Sequence, residues 1–259
     1  CRRFWARYRR NTTRFIRKQP LGAACAGIII ILVLVAIFAD FVAPFSATKN
    51  NTGPALSSPS ADHLFGTDNF GRDLLSRVIY GARISLWVGL GATLASVLLS
   101  TVIGGVSGYL GGVVDYLTQR FVDVAQAVPP TIMLIAMMIV LGPSINNVII
   151  ALAVRGGLTG SRVIRGVVIG IRSFPYIEAA RAMGASHARV LVMHILPNVL
   201  PTAIVLISIG IGGNIVAEAS LSFLGYGVPP PDPTWGGMMS AEGRLYMLIN
   251  PWILVFPTI

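Results

Sequence analysis

Charge is scarce in this chain. Only 12% of its 259 residues are Asp, Glu, Lys or Arg, 54% are hydrophobic, and the mean hydropathy is +0.73. Soluble domains carry about a quarter charged residues, so a soluble fold is excluded and an integral membrane protein follows. Acid is scarcer than base: 10 acidic against 20 basic side chains, for a net charge of +10. On a soluble surface that excess would suggest nucleic acid. Here it sits in short segments beside apolar runs, which is the mark of membrane topology, and a nucleic-acid partner is set aside. Lysine is confined to Lys18 and Lys49, followed by Gln19 and Asn50. A phosphate-cradling Gly-x-x-x-x-Gly-Lys-Ser/Thr loop is therefore impossible, and any ATP hydrolysis must belong to another subunit. Two cysteines, Cys1 and Cys25, make neither a disulfide framework nor a zinc set. His63, His187 and His194 suit structural roles better than metal ligation, and no Gly-x-Ser-x-Gly elbow exists. The chain is not expected to be an enzyme, and no metal site is expected.

Long uncharged runs are what the chain has instead. Residues 1–20 hold eight cations and no acid, interleaved with Phe4, Trp5, Tyr8 and Phe15. This reads as a cytoplasmic basic amphipathic segment at the membrane interface. Residues 21–43 carry the first span, since about 20 apolar residues cross a ~30 Å hydrocarbon layer. The run is too long for a signal-peptide core, so a retained anchor is expected. Residues 44–82 read as an extracytoplasmic loop rich in turn formers. Within it Asp73 and Arg77 have the spacing of a helix-face pair. Residues 83–259 hold spans two to six: Ile84–Val114, about 124–141 with a kink at Pro129-Pro130, about 146–164, and 190–217. The sixth starts at 249 and is unfinished. Asp115 to Asp123 reads as a short inner loop. Both ends read as limits of a longer protein.

One polar island lies between spans four and five, at about 165–197. Pro175 suits a first helical turn, Glu178 the positive end of a helix dipole, and Ala179, Ala180 and Ala182 a smooth helical surface. Gly184 permits a bend, and Pro197 should end or kink a helix. Glu178-Ala179-Ala180, Gly184 and Leu196-Pro197 match the spacing of the EAA loop of ABC-importer permeases. The one departure is His194 where the general pattern has Ile. His-Ile-Leu-Pro-Asn resembles the peptide-permease version of that loop. The series Gly66-Thr67-Asp68, Gly71-Arg72-Asp73, Ser76-Arg77 and Gly81-Ala82-Arg83-Ile84-Ser85-Leu86 resembles the outer segment of C-type dipeptide/oligopeptide permease subunits. Ser220–Gly225 and Pro233-Thr234-Trp235-Gly236 resemble the same family, so the likeness covers essentially the whole chain.

The resemblance implies an all-α, six-span bundle of the type I ABC importer permease kind in the inner (cytoplasmic) membrane, N-terminus inside. It implies a second homologous permease subunit, two ATPase subunits that bind ATP and Mg, and an extracytoplasmic substrate-binding protein. It implies import of di- or oligopeptides by alternating access. Glu178, Ala179, Ala180, Met183, Gly184, Ala185, Leu196 and Pro197 would then couple to the ATPase. Asp68, Arg72, Asp73, Arg155 and Glu218 are candidates for the substrate pathway or its gate. Each has a plainer reading: a charged loop for the first three, a bundle-facing or snorkelling arginine, and a hydrated Glu at a helix end. Rival cargoes are nickel, glutathione or another small solute. A self-sufficient secondary transporter would show inverted repeats or several buried carboxylates.

Overall fold

A chain in hydrocarbon must satisfy its backbone polar groups internally, and the uncharged runs accordingly become helices. The computed structural model describes residues 19–258. The expected interfacial segment at residues 1–18 lies outside the described residues. The helices are α1 (Pro20–Ile37), α2 (Ala39–Val42), α3 (Leu74–Leu110), α4 (Gly112–Ala127), α5 (Pro130–Leu141) and α6 (Ile145–Arg172). Then come α7 (Pro175–Ala182), α8 (His187–Val190), a π turn (Leu191–Ile195), α9 (Leu196–Phe223), α10 (Trp235–Met238), α11 (Ala241–Tyr246) and α12 (Trp252–Thr258). Among the described residues no strand forms beyond one isolated bridge, Thr67 to Asp73.

The spine is α3 packed along α6, the most extensive contact in the molecule. Membrane helices gain little hydrophobic drive from meeting each other, so close packing of small residues takes its place. A Cβ on Gly104 would collide with the Ser161 carbonyl, and one on Gly157 would strike Leu99. Ser100 Oγ donates to the Gly157 carbonyl at 3.1 Å. α9 lies against the same α3, where Asn214 Nδ2 donates to Thr93 Oγ1 at 2.9 Å. α1 is apolar all round and buries only Ala36, as suits a helix bathed in lipid. Its attachment is polar: Arg83 of α3 meets Asp40 at 2.9 Å and the Ala36 carbonyl at 2.8 Å.

The inner loop expected at Asp115–Asp123 is a helix, α4. Its two acids are neutralised across the bundle rather than by solvent. Arg165 Nε and Nη2 each donate to Asp115 at 2.5 Å, and Arg162 pairs with Asp123. Read in isolation, such charges resemble a loop; paired to α6 they are compatible with a helix. The kink expected at Pro129-Pro130 is a full break, with α4 and α5 bent by 94°. Pro129 holds an extended conformation and Pro130 opens α5, where its missing N–H costs nothing. Among the described residues four helical runs are long and apolar enough to cross a membrane, α1, α3, α6 and the continuous His187–Phe223. The broken α4–α5 pair would make a fifth. α12, of seven residues, lies where the sixth span was expected to start.

α3 begins at Leu74, ten residues before the second span expected from Ile84, because Asp73 caps it: its Oδ2 accepts from Ser76 N at 2.8 Å and Ser76 Oγ at 2.7 Å. The α3 N-terminus meets the 225–240 segment, where Trp235 Nε1 donates to the Val78 carbonyl at 3.1 Å. The α3 C-terminus meets α6, α7 and α8. The bundle therefore has a loop-bearing end and an end that carries the expected coupling loop, joined by one helix.

The seam makes a sharp prediction. Gly104→Ala places a methyl against backbone and should lower the stability of the solubilised protein by about 1–3 kcal/mol. Gly105→Ala, whose Cβ would meet nothing, should leave the thermal midpoint unchanged. Equal midpoints for the two variants would contradict the close seam.

Candidate functional site

At the coupling-loop end, α7 opens with Pro175 at its first turn and carries Glu178 in that turn, as the residue chemistry requires. Phe174 precedes it in an extended conformation. One face of α7 is anchored. Ile177 and Ala180 are buried with Tyr109, Ile164, Val168, Val190 and Ile195. The opposite face is bare: Glu178, Ala179, Met183 and Gly184 are exposed, Met183 at 82%. Ala180 thus packs inward and does not belong to the presented surface, while Ala179 does. Gly184 has φ +83, a left-handed conformation that any other residue adopts at a cost. It turns the chain so that Ala185 N returns to the Ala180 carbonyl at 3.0 Å, and Ser186 then caps α8 by accepting from Arg189 N.

The expected break at Pro197 takes the form of a π turn. Pro197 cannot donate to the carbonyl four residues back, and the wider Leu191–Ile195 turn absorbs the mismatch. Asn198 Nδ2 takes the His194 carbonyl at 2.7 Å. Leu196 is half-buried and Pro197 exposed, so only the proline reaches the surface. Tyr176, Met183, Gly184, Arg189 and His194 border a cleft of about 360 Å3 beside α7.

Tyr109, which the sequence reading passed over, ties this face to α3. It is 4% exposed, its hydroxyl is 3.0 Å from His187 Nδ1, and the Arg181 guanidinium lies 4.9 Å over its ring. Arg172 Nη1 donates to the carbonyls of Gly108 and Tyr109 at 3.1 and 3.2 Å. The only local signal was a lone aromatic closing a long uncharged run. Tyr109 thereby joins α7 and α8 to the C-terminal end of α3.

At the loop-bearing end the candidate residues separate. Asp68 is buried and organises its own loop, accepting from Phe70 N, Arg72 N and Arg72 Nε at 2.8, 2.9 and 2.6 Å. Asp73 is 1% exposed and is shared between the α3 cap and His63 Nδ1 at 2.9 Å. It faces no open space. Arg77 lies 3.6 Å from Asp68 and donates to the Ala47 carbonyl at 3.0 Å; Asp73 meanwhile serves the helix start. Arg72 stacks over Phe70, 4.5 Å from the ring centre, on the wall of a cavity.

Glu218 is not hydrated. It is fully buried in α9, accepts from Ser222 Oγ at 2.7 Å and Ser85 Oγ at 3.2 Å, and is also reached by Thr234. Ser222 Oγ in turn accepts from Val228 N at 3.2 Å. One carboxylate therefore ties α3, α9 and the proline-rich segment together without an arginine. Arg155 sits midway along α6, and its Nε is buried with no hydrogen-bond partner; it lies between the two ends and joins neither cluster. Among the described residues no group of His, Cys, Asp and Glu is arranged to hold a metal.

Comparison with known proteins agrees with this architecture. Residues 100–259 match the family described as binding-protein-dependent transport system inner membrane component. The dipeptide transport system permease protein DppC of Alkalihalophilus pseudofirmus is 39% identical, over 96% of this chain and 81% of that protein. DppC of Bacillus subtilis is 35% identical, over 96% and 78%. The glutathione transport system permease protein GsiD of Escherichia coli O1:K1 is 40% identical, over 99% and 82%. A chain of the MetNI methionine ABC transporter in an inward-facing conformation superposes with a TM-score of 0.50 at 21% identity. That match covers 67% of this chain and 84% of the other, and it speaks for the fold alone. The helical bundle, its apolar spans and these relatives lead to one conclusion: the chain belongs to the family of binding-protein-dependent transport inner membrane components, as an ABC-importer permease subunit of the DppC type with a type I importer fold.

Proposed function

We propose that this permease carries di- or oligopeptides into the cell, driven by ATPase subunits that dock on the bare face of α7. The observation that carries the coupling half is the two-sided character of α7. Glu178, Ala179, Met183 and Gly184 are presented, while Ile177 and Ala180 are locked through Tyr109 to α3. A helix held on one side and bare on the other can receive a push and pass it on. Cargo assignment rests on the DppC relatives. Glutathione is the second reading, favoured by GsiD, and is itself a peptide-like solute.

In this reading the coupling-loop end is cytoplasmic, as its arginines require, and so is the N-terminal segment at 1–20. The loop at 44–82 and the proline-rich segment face outward, where a substrate-binding protein delivers cargo. ATP and Mg bind the partner ATPases, and no bond is made or broken in this chain. A second, homologous permease subunit completes the pathway. ATP-driven closure of the ATPases pulls α7. The α3–α6 spine then tilts, and the Glu218 knot holds the outer ends of α3 and α9 to the proline-rich segment while the bundle changes access.

Three outcomes test this. Gly184→Trp forces an unfavourable φ and adds bulk to the docking cleft. Uptake in proteoliposomes should fall at least tenfold, with ATP hydrolysis either uncoupled from transport or lost with the ATPase; wild-type uptake would refute the role. Glu218→Leu leaves the Ser85 and Ser222 hydroxyls without their acceptor and should destabilise the solubilised protein by about 1–3 kcal/mol. Glu218→Gln, whose amide oxygen accepts one of these bonds and whose amide NH2 can donate to the other hydroxyl oxygen, should retain most of that stability. A melting curve in which the two variants behave alike would contradict the knot. For cargo, uptake of a dipeptide and of glutathione by the full complex should favour the dipeptide, and preference for glutathione would transfer the assignment.

A further inference from the structure

The loop-bearing end encloses a cavity of about 640 Å3 between the 48–77 loop and the proline-rich segment. Sites for small molecules span roughly 300–1,000 Å3, so a short peptide has room. Arg72 lies in its wall. The side chain is only 9% exposed, and two of its three recognition surfaces are already used. Nε donates to Asp68 at 2.6 Å, and the flat face covers Phe70. Nη1 and Nη2 have no hydrogen-bond partner among the described residues, yet neither is sealed from solvent. Burying a guanidinium with two nitrogens unspent is costly unless something completes it. Asp68 and Phe70 fix the group in the cavity wall and leave the Nη edge as its unused recognition surface.

That edge presents parallel N–H donors, the geometry that matches a carboxylate bidentately. Asp232 is the one acidic residue of the lining and is exposed, which suits an ammonium group. Phe70, Val228 and Met238 supply apolar wall between them. A zwitterion with apolar side chains fits these three elements.

We infer that the Nη edge of Arg72 binds the free C-terminal carboxylate of a short peptide in this outer cavity, before the peptide crosses the membrane. The inference rests on the peptide reading given above, and its test separates the two. Equilibrium binding of Ala-Phe and of its C-terminal amide is measured on the permease–ATPase complex without binding protein. The free acid should bind at least about tenfold more tightly, as expected for loss of a charge-assisted pair. Both Arg72→Gln and Arg72→Lys should abolish that preference. Arg72→Lys keeps a positive charge beside Asp68 and so guards against simple misfolding of the loop. Equal binding of acid and amide by the wild type, no binding of either, or a preference that survives in Arg72→Lys would overturn the site. Uptake of Ala-Phe by the complete complex is measured in parallel. Acid-selective binding without uptake would support the site and overturn the peptide cargo; uptake without acid-selective binding would overturn the site alone.

Discussion

Backbone-to-backbone approach of α3 and α6 is the constraint on which the structure depends. Where Gly104 meets the Ser161 carbonyl, no side chain separates the two helices. Dispersion over a close seam replaces the hydrophobic drive that lipid cannot supply. Because α3 runs the length of the molecule, the seam turns two ends with different chemistry into one body. Tyr109 and Arg172 fasten the coupling loop to one end. Ser85, through Glu218, fastens the proline-rich segment towards the other.

Charge in this chain is placed where it can be matched. Asp115 and Asp123 meet arginines of α6, Asp40 meets Arg83, and Asp68 meets Arg72 and Arg77. Ionic groups near hydrocarbon are costly when alone, and pairing across helices lets so few charges fix the bundle's register. Glu218 is matched differently, since hydroxyls rather than a cation surround it. Glu178 is left at the surface, on the face proposed to meet an ATPase.

Much of this was legible in the sequence. Apolar runs located α1, α3, α6 and α9, and the polar island around Glu178 located a short helix with its Pro175 start and Gly184 turn. What escaped depended on partners far along the chain. Asp115–Asp123 looked like a loop because its arginines lie beyond the next helix. Glu218 looked like a hydrated end because Ser85 is distant in sequence and α9 continues past it. Ala180 looked like surface because alanine spacing cannot say which face of a short helix Tyr109 will cover. Asp73 looked available to substrate, whereas the α3 N-terminus needed a cap and took it.

Everything proposed for this permease turns on whether the bare face of α7 meets an ATPase. The direct measurement is site-specific cross-linking from Met183→Cys, with Cys1 and Cys25 replaced, in the assembled complex. The account predicts a cross-link to the ATPase subunit whose yield changes with ATP. Capture of the extracytoplasmic binding protein instead would invert the topology, and failure to reach the ATPase in any nucleotide state would contradict the coupling role of α7.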